Sequence, residues 1–437
     1  MGDCKSWVIR GGRILDPVNG RNMGIGDLWI ADGRVSPGSS SLPPCTGVVD
    51  ASGLIVAPGL VDLHVHMREP GDEDSETVAT ASVAAARGGF TTVVIMPNTR
   101  PPLDSAIAIR AQINLAEKCG MVRVLPAGCI TSGRKGGEVA DLAAMAKAGA
   151  VAFTDDGTTV PGRRVMRDAM AQAAALGLPV LDHAQDHGLA ADGVMHDGKF
   201  SRRLKLPGIP FEAETEIVKR DIELAGETGC AIHIQHVSAA ETIPLLRDAR
   251  GGGLAVSAEV TPHHLFFADE DVVAGNGLYK VNPPLRSRKD RDALRTAAAG
   301  SLFAAFATDH APHALARKSR PMQEAPFGMV GLETAVGATY TTMVKSGLLP
   351  PETWLDMWTR GPCGVLGMAF HGLAAGAPAD VVLLDLESGW MVDARKMVTK
   401  SPISPFEGCR LTGRVVCTFL NGRVTWEDGS GRVDMRG

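Results

Sequence analysis

The sequence predicts an α/β fold class, a (β/α)8 TIM barrel with a small β-sandwich domain built from both termini. Three observations carry this reading. In the middle of the chain, apolar runs of four to eight residues alternate with alanine-rich, helix-like stretches, the pattern of parallel strands joined by crossover helices. These runs number eight, the count at which such a sheet can close on itself. The two ends of the chain instead carry short strands separated by tight-turn signals.

Taken in order, residues 7–10, 12–15, 27–30 and 34–35 read as short strands, with Asp32-Gly33 as one turn between them. Barrel strands are expected at 61–64, 92–96, 123–127, 150–154, 179–182, 231–235, 254–260 and 303–308. Helices are expected between them at 75–87, 105–118, 137–147, 163–176, 213–228, 240–249 and 289–299. The far end returns to strands at 380–386, 413–420 and 423–426, and Asn421-Gly422 between two apolar runs is a hairpin signal. The expected division is therefore residues 1–53 and 369–437 for the two parts of the sandwich, and 54–368 for the barrel.

Composition agrees. A chain of 437 residues exceeds one ordinary domain of ~150 residues but accommodates a barrel of ~250 plus something smaller. Apolar residues make up 45% and charged residues 21%, which excludes a disordered or fibrous chain. The net charge of −5 and the lack of any basic run exclude nucleic acid as the main partner. The eight cysteines are scattered without a C-x-x-C pair, so they read as reduced packing thiols. No apolar run reaches the ~18 residues of a membrane span. Met1-Gly2-Asp3-Cys4-Lys5-Ser6 fits a myristoylation pattern but reads more simply as an exposed lead-in to a strand. The expectation is a cytoplasmic protein with no membrane partner.

In a barrel of this kind the chemistry sits where strands end. His64 and His66 follow the first apolar run, and alternation of side chains puts both on one side. The fourth run ends in Asp155-Asp156, the fifth at His183, the sixth at His236, and the eighth at Asp309, with His313 four residues on. Four imidazoles and two carboxylates converging on one mouth, without thiolate, suit Zn²⁺ or another first-row divalent ion. The set exceeds what one tetrahedral ion needs, whereas two ions sharing a carboxylate and a hydroxide would use all six. Spacing does not choose between Asp155 and Asp156. An aspartate on the last strand can take a proton from the attacking water and return it to a leaving group. Arg68 has the fork geometry for a carboxylate, and Asn98 and Asn282 can read a cyclic amide, although each sits beside proline and can equally form a turn. Phosphate-cradling loops and serine-nucleophile elbows are absent from the sequence.

Six stretches carry a family resemblance: 61–71, 88–99, 153–157, 258–265, 280–286 and 307–313. Together they resemble the bacterial class I dihydroorotases of the amidohydrolase superfamily, from about Leu54 to Gly376. The resemblance implies a zinc enzyme that interconverts N-carbamoyl-L-aspartate and L-dihydroorotate in pyrimidine biosynthesis. It implies His64, His66, Asp156, His183, His236 and Asp309 as ligands of two zinc ions bridged by Asp156 and a hydroxide. Asp309 would be the catalytic group, with His66, Arg68, Asn98, Asn282, His313, Phe327 and Gly328 contacting substrate. Beyond the small-molecule substrate, the partners it implies are a second copy of the chain in a homodimer and an associated aspartate transcarbamoylase.

Related hydantoinases and allantoinases usually bridge their metals through a carbamylated lysine on the fourth strand, and residues 150–156 contain no lysine. This favours the dihydroorotase branch; a dihydropyrimidinase, hydantoinase or allantoinase is the rival enzyme, and a non-catalytic scaffold for aspartate transcarbamoylase the rival of another class. Three departures from the family pattern stand out: Ser75 before Glu76, Gln185 after His183-Ala184, and the lack of a glutamate before Lys318. None is a ligand, so loop order or rate is where they are expected to act.

Overall fold

The computed structural model describes residues 6–38, 46–273 and 275–434. Residues 1–5 of the myristoylation-like opening and Cys45 lie outside them. The N-terminal end supplies β1 (Ser6–Asp16), β2 (Arg21–Ala31), β3 (Arg34–Ser36), β4 (Thr46–Asp50) and β5 (Ile55–Pro58). The short strands expected at 7–10 and 12–15 run together as β1, whose pairing with β2 shifts register between Ile9 and Gly12. Gly11 takes φ +66° within that shift, a left-handed backbone that glycine adopts at little steric cost.

One residue after β5 the chain enters the barrel. Its strands are β6 (Leu60–Val65), β7 (Phe90–Ile95), β8 (Arg123–Pro126) and β9 (Val180–Asp182). After an inserted parallel pair, β10 (Met195–His196) and β11 (Gly208–Ile209), come β12 (Ile232–Ile234), β13 (Val256–Val260) and β14 (Ala305–Phe306). Strands β6-β7-β8 form one parallel arc and β9-β12-β13-β14 another. Isolated bridges join the arcs. Phe153 bridges in parallel to Gly128 on one side and Val180 on the other, so residues 150–154 are the fourth stave without being a regular strand. A parallel bridge between Val65 and His310 closes the ring. The expected helices occur as Val78–Arg87, Ala106–Cys119, Leu142–Ala148, Arg163–Leu176, Glu212–Thr228, Thr242–Gly251 and Arg288–Ala299.

The C-terminal end returns with β15 (Val381–Met391), β16 (Arg410–Leu420), β17 (Arg423–Glu427) and β18 (Val433–Asp434). β15 pairs with β5 and β18 with β4, so both termini build one nine-stranded sheet in the order β17-β16-β15-β5-β1-β2-β3, with β4 on β1. Asn421 (φ +49°) and Gly422 (φ +74°) form the two-residue hairpin turn. Trp7 and Phe419, one from each end, meet edge to face at 5.4 Å in this sheet's own core.

The barrel core is built from alanine and branched aliphatics, with few rings among them. The six described cysteines are free. Among the described residues no helix is long and apolar enough to cross a membrane. Phe153 is fully buried on the fourth stave, and its ring packs in the barrel core. Phe153→Ala is expected to cost about 3–5 kcal/mol, read as a lowered midpoint of chemical denaturation of the metal-free protein.

Candidate active site

Strand alternation places His64 and His66 on the inner side of the barrel mouth, as their spacing predicts. His64 Nε2 lies 3.1 Å from Asp156 Oδ1 and 3.5 Å from Asp309 Oδ1. His66 Nε2 lies 3.1 Å from Asp309 Oδ1 and 3.4 Å from Asp156 Oδ2. On the other side of Asp156, His183 Nδ1 and His236 Nε2 are 2.8 Å apart and 3.6 and 4.0 Å from Asp156 Oδ1. Two clusters thus bring ligand atoms within 4.8 Å of one another, His64 with His66 and Asp156, and Asp156 with His183 and His236. Asp156 is common to both.

The adjacent aspartates differ in their partners. Asp155 turns outward, where its carboxylate accepts from the backbone N–H groups of Ile130 (2.9 Å) and Thr131 (3.1 Å) and from the Thr131 hydroxyl. Asp156 turns inward, and the Arg134 guanidinium donates to its backbone carbonyl at 2.6 Å.

A cation fits this cradle. His64 Nε2 and Asp156 Oδ1 are buried, face each other at 3.1 Å, and have no hydrogen-bond partner. Burial favours a neutral His64, yet the charges of Asp156 and Asp309 outweigh it and raise its pKa well above the ordinary value. Burial likewise opposes the ionised Asp156, but His64 and His183 hold its carboxyl well below the usual range. Buried carboxylates of this kind demand a positive charge between them, and imidazole with carboxylate oxygen is a donor set for a divalent first-row ion.

A second tier aims these groups. Glu259 on β13 accepts from His64 Nδ1 at 2.9 Å and His233 Nε2 at 3.1 Å, and from the His236 backbone N–H at 3.2 Å. Burial would raise its pKa, but the two imidazoles hold it at about 2. Asp62 accepts from the backbone N–H groups of His64 and Thr308 and from the Thr308 hydroxyl, tying the first barrel strand to the last. Burial pushes its carboxyl up to about 7. Neither acid had been assigned a role from the sequence. A carboxylate inside an apolar strand run was the available signal, since such a group has to find a buried partner.

Above the cluster is a cavity of about 210 Å³ whose walls include every predicted site residue except His64, which lies deeper. Asn98 and Asn282 line this cavity as well as standing beside prolines. Asn98 Oδ1 accepts from His66 Nδ1 at 3.0 Å, which directs His66 Nε2 toward the two aspartates. Arg68 donates from Nε to the Pro312 carbonyl at 3.0 Å, and burial lowers its pKa to about 10. His313 Nε2 lies 2.6 Å from the Phe327 carbonyl, and burial beside Arg68 keeps this ring neutral with a pKa of about 2. Gly328 takes φ +124°, and a Cβ there would sit 2.7 Å from the Ala311 carbonyl oxygen.

Comparison with known proteins places this arrangement. A family model described as Dihydro-orotase-like matches residues 53–242. The dihydroorotase of Bacillus caldolyticus is 45% identical over 382 residues, 87% of this chain and 90% of that protein. The chain belongs to the dihydroorotase family. The dihydroorotase of Pelotomaculum thermopropionicum is 44% identical over 96% of this chain and 98% of its own length. Among solved structures, an L-hydantoinase (dihydropyrimidinase) from Arthrobacter aurescens superposes with a TM-score of 0.85 at 25% identity, over 97% of this chain and 96% of that one. A D-hydantoinase at 24% identity and a TM-score of 0.81 shares the fold.

Behind the pocket wall Lys318 is buried without a carboxylate partner among the described residues. Its Nζ donates to the carbonyls of Lys280 (2.7 Å) and Pro326 (3.0 Å), pinning the turn that carries Phe327 and Gly328. Burial, with Lys280 and Arg68 nearby, lowers its pKa from 10.5 to about 7. Between these values the unfolded chain holds more protons than the folded one, so this group makes stability rise with pH over that window. Denaturation midpoints of the wild type relative to Lys318→Met are expected to climb as pH increases from about 7 toward 10.

Proposed function

We propose that this protein is a cyclic-amide hydrolase acting as a dihydroorotase, which interconverts N-carbamoyl-L-aspartate and L-dihydroorotate in pyrimidine biosynthesis. The observation that carries it is one cavity that combines two ligand clusters sharing Asp156 with Arg68 at its wall. His64, His66, Asp156, His183, His236 and Asp309 would hold the metal, read as two zinc ions. When bound, such a pair supplies a water with a pKa of ~7 and polarises the carbonyl under attack.

The chain's own groups do the rest. Asp309 Oδ1 lies beside both His64 and His66, where it takes the proton of the attacking water and passes it to the departing ring nitrogen in the hydrolytic direction. Arg68, with Nε on the Pro312 carbonyl and Nη2 3.3 Å from His313 Nε2, would offer its remaining guanidinium hydrogens to a substrate carboxylate. Asn98 assists it through its amide hydrogens, while neutral His313, whose Nε2–H donates to the Phe327 carbonyl, is left with a buried Nδ1 lone pair that would accept a hydrogen from the ligand. Asn282, Phe327 and Gly328 complete the walls. The absence of lysine from residues 150–156 supports this reading over a hydantoinase-type site.

We place the protein in the cytoplasm, divide it at residues 53/54 and 368/369, and take a homodimer and an aspartate transcarbamoylase as its candidate partners. The deciding experiment is metal analysis of the purified protein beside turnover assays. Dihydroorotate is expected to be consumed orders of magnitude more efficiently than dihydrouracil or allantoin, which lack the carboxylate that Arg68 would read; the reverse order would establish the hydantoinase-type reading. Metal without turnover of any of the three would support a scaffold. Asp309→Asn is expected to lower turnover by about 10²–10⁴-fold with metal retained at least in part, and a near-normal rate would remove Asp309 from the proton path.

A further inference from the structure

One buried side chain touches both halves of the site without lining its cavity. Gln185 is 7% exposed. Its Oε1 lies 3.0 Å from His183 Nε2 and also accepts from Asn282 Nδ2. The other nitrogen of His183 faces inward, toward His236 and Asp156. A ring nitrogen that binds a cation keeps its lone pair, so the hydrogen of neutral His183 belongs on Nε2. Asn282 Nδ2, 3.0 Å from that nitrogen, is itself a donor and cannot receive the hydrogen. Gln185 Oε1 can. By accepting from Asn282 Nδ2 as well, the same oxygen fixes which end of the Asn282 amide is free. That end is Oδ1, buried, without a hydrogen-bond partner, and carried by a residue of the cavity wall.

We propose that Gln185 is a positioning residue that couples the two halves of the site. Its carboxamide oxygen sets the tautomer and ring orientation of His183 toward the metal, and presents the Asn282 carbonyl to an N–H of a cyclic ureide substrate. This rests on the cyclic-amide reading of the site. Because the acceptor is a neutral amide, the hydrogen bond it takes from His183 is weaker than a carboxylate would take, and the imidazole is correspondingly less basic.

Three proteins test it: wild type, Gln185→Met, which keeps the length but has no acceptor oxygen, and Gln185→Glu, which keeps one. Zn²⁺ affinity is read by titration against a competing chelator, and kcat and KM with dihydroorotate. Gln185→Met is expected to bind one Zn²⁺ equivalent about tenfold more weakly and to raise KM by more than it lowers kcat at saturating metal. Gln185→Glu is expected to restore KM and to bind Zn²⁺ at least as tightly as the wild type. A Gln185→Met protein with unchanged Zn²⁺ affinity and KM would overturn the proposal, as would a Gln185→Glu protein impaired to the same degree. A change in only one of the two readouts would overturn the coupling. Wild-type protein that binds Zn²⁺ but leaves dihydroorotate untouched would overturn the assigned substrate instead, and the titrations would still decide the role of Gln185 toward His183.

Discussion

Everything at the barrel mouth is arranged around the cost of burying Asp156 and Asp309 side by side. Two carboxylates withdrawn from water are stable only if positive charge and hydrogen-bond donors surround them. Four imidazoles surround them, and the spare ring nitrogens of three are in turn held: His64 by Glu259, His66 by Asn98 and His183 by Gln185. Each of these outer partners accepts, which leaves the inward nitrogens as lone pairs directed at one region. The cluster is therefore organised for a cation from the outside in.

The backbone is held to the same end. Arg68 at φ +60°, His236 at +32° and Asp309 at +45° all occupy the left-handed region, which costs of order 1–3 kcal/mol for a residue that is not glycine. Such conformations persist where surrounding contacts over-determine them. The Glu259 carboxylate at the His236 backbone N–H and the Asp62 carboxylate at the Thr308 N–H are contacts of that kind. The irregular fourth stave follows similar logic. Asp155 and Arg134 fasten the chain on either side of Asp156, so regular strand pairing is not what places its carboxylate.

How much of this was legible in the sequence depends on the range of the interaction. Strand ends were legible because alternation of apolar runs and helices is a local pattern, and a histidine or aspartate at the end of a run is visible without knowing its partner. The pairing of both chain ends into one sheet was legible from their matching turn signals. The parallel insertion at 195–209 left no periodic signal, since each of its strands is two residues long. Glu259 and Asp62 were hidden for a different reason. Their partners lie 195 and 246 residues away, and no local pattern connects Glu259 to His64 or Asp62 to Thr308. The choice between Asp155 and Asp156 needed the directions of two adjacent side chains, which the family resemblance supplied and their hydrogen bonds explain.

Two of the departures from the family pattern become one feature in space. Ser75 stands where a lysine is usual, and the stretch before Lys318 lacks its usual glutamate. Here Arg317 reaches back across the fold to donate to the Ser75 hydroxyl and to Asp72. Ser75 Oγ also accepts from the Ala314 backbone N–H at 3.0 Å, one residue beyond His313. In this chain the cation of that contact lies on the segment after His313 and the hydroxyl on the segment after Arg68. What that contact restrains is the loop leading away from His313, and no metal-facing atom takes part in it. A change confined to such a tether alters how firmly the pocket wall is held and leaves the reacting groups where the barrel puts them.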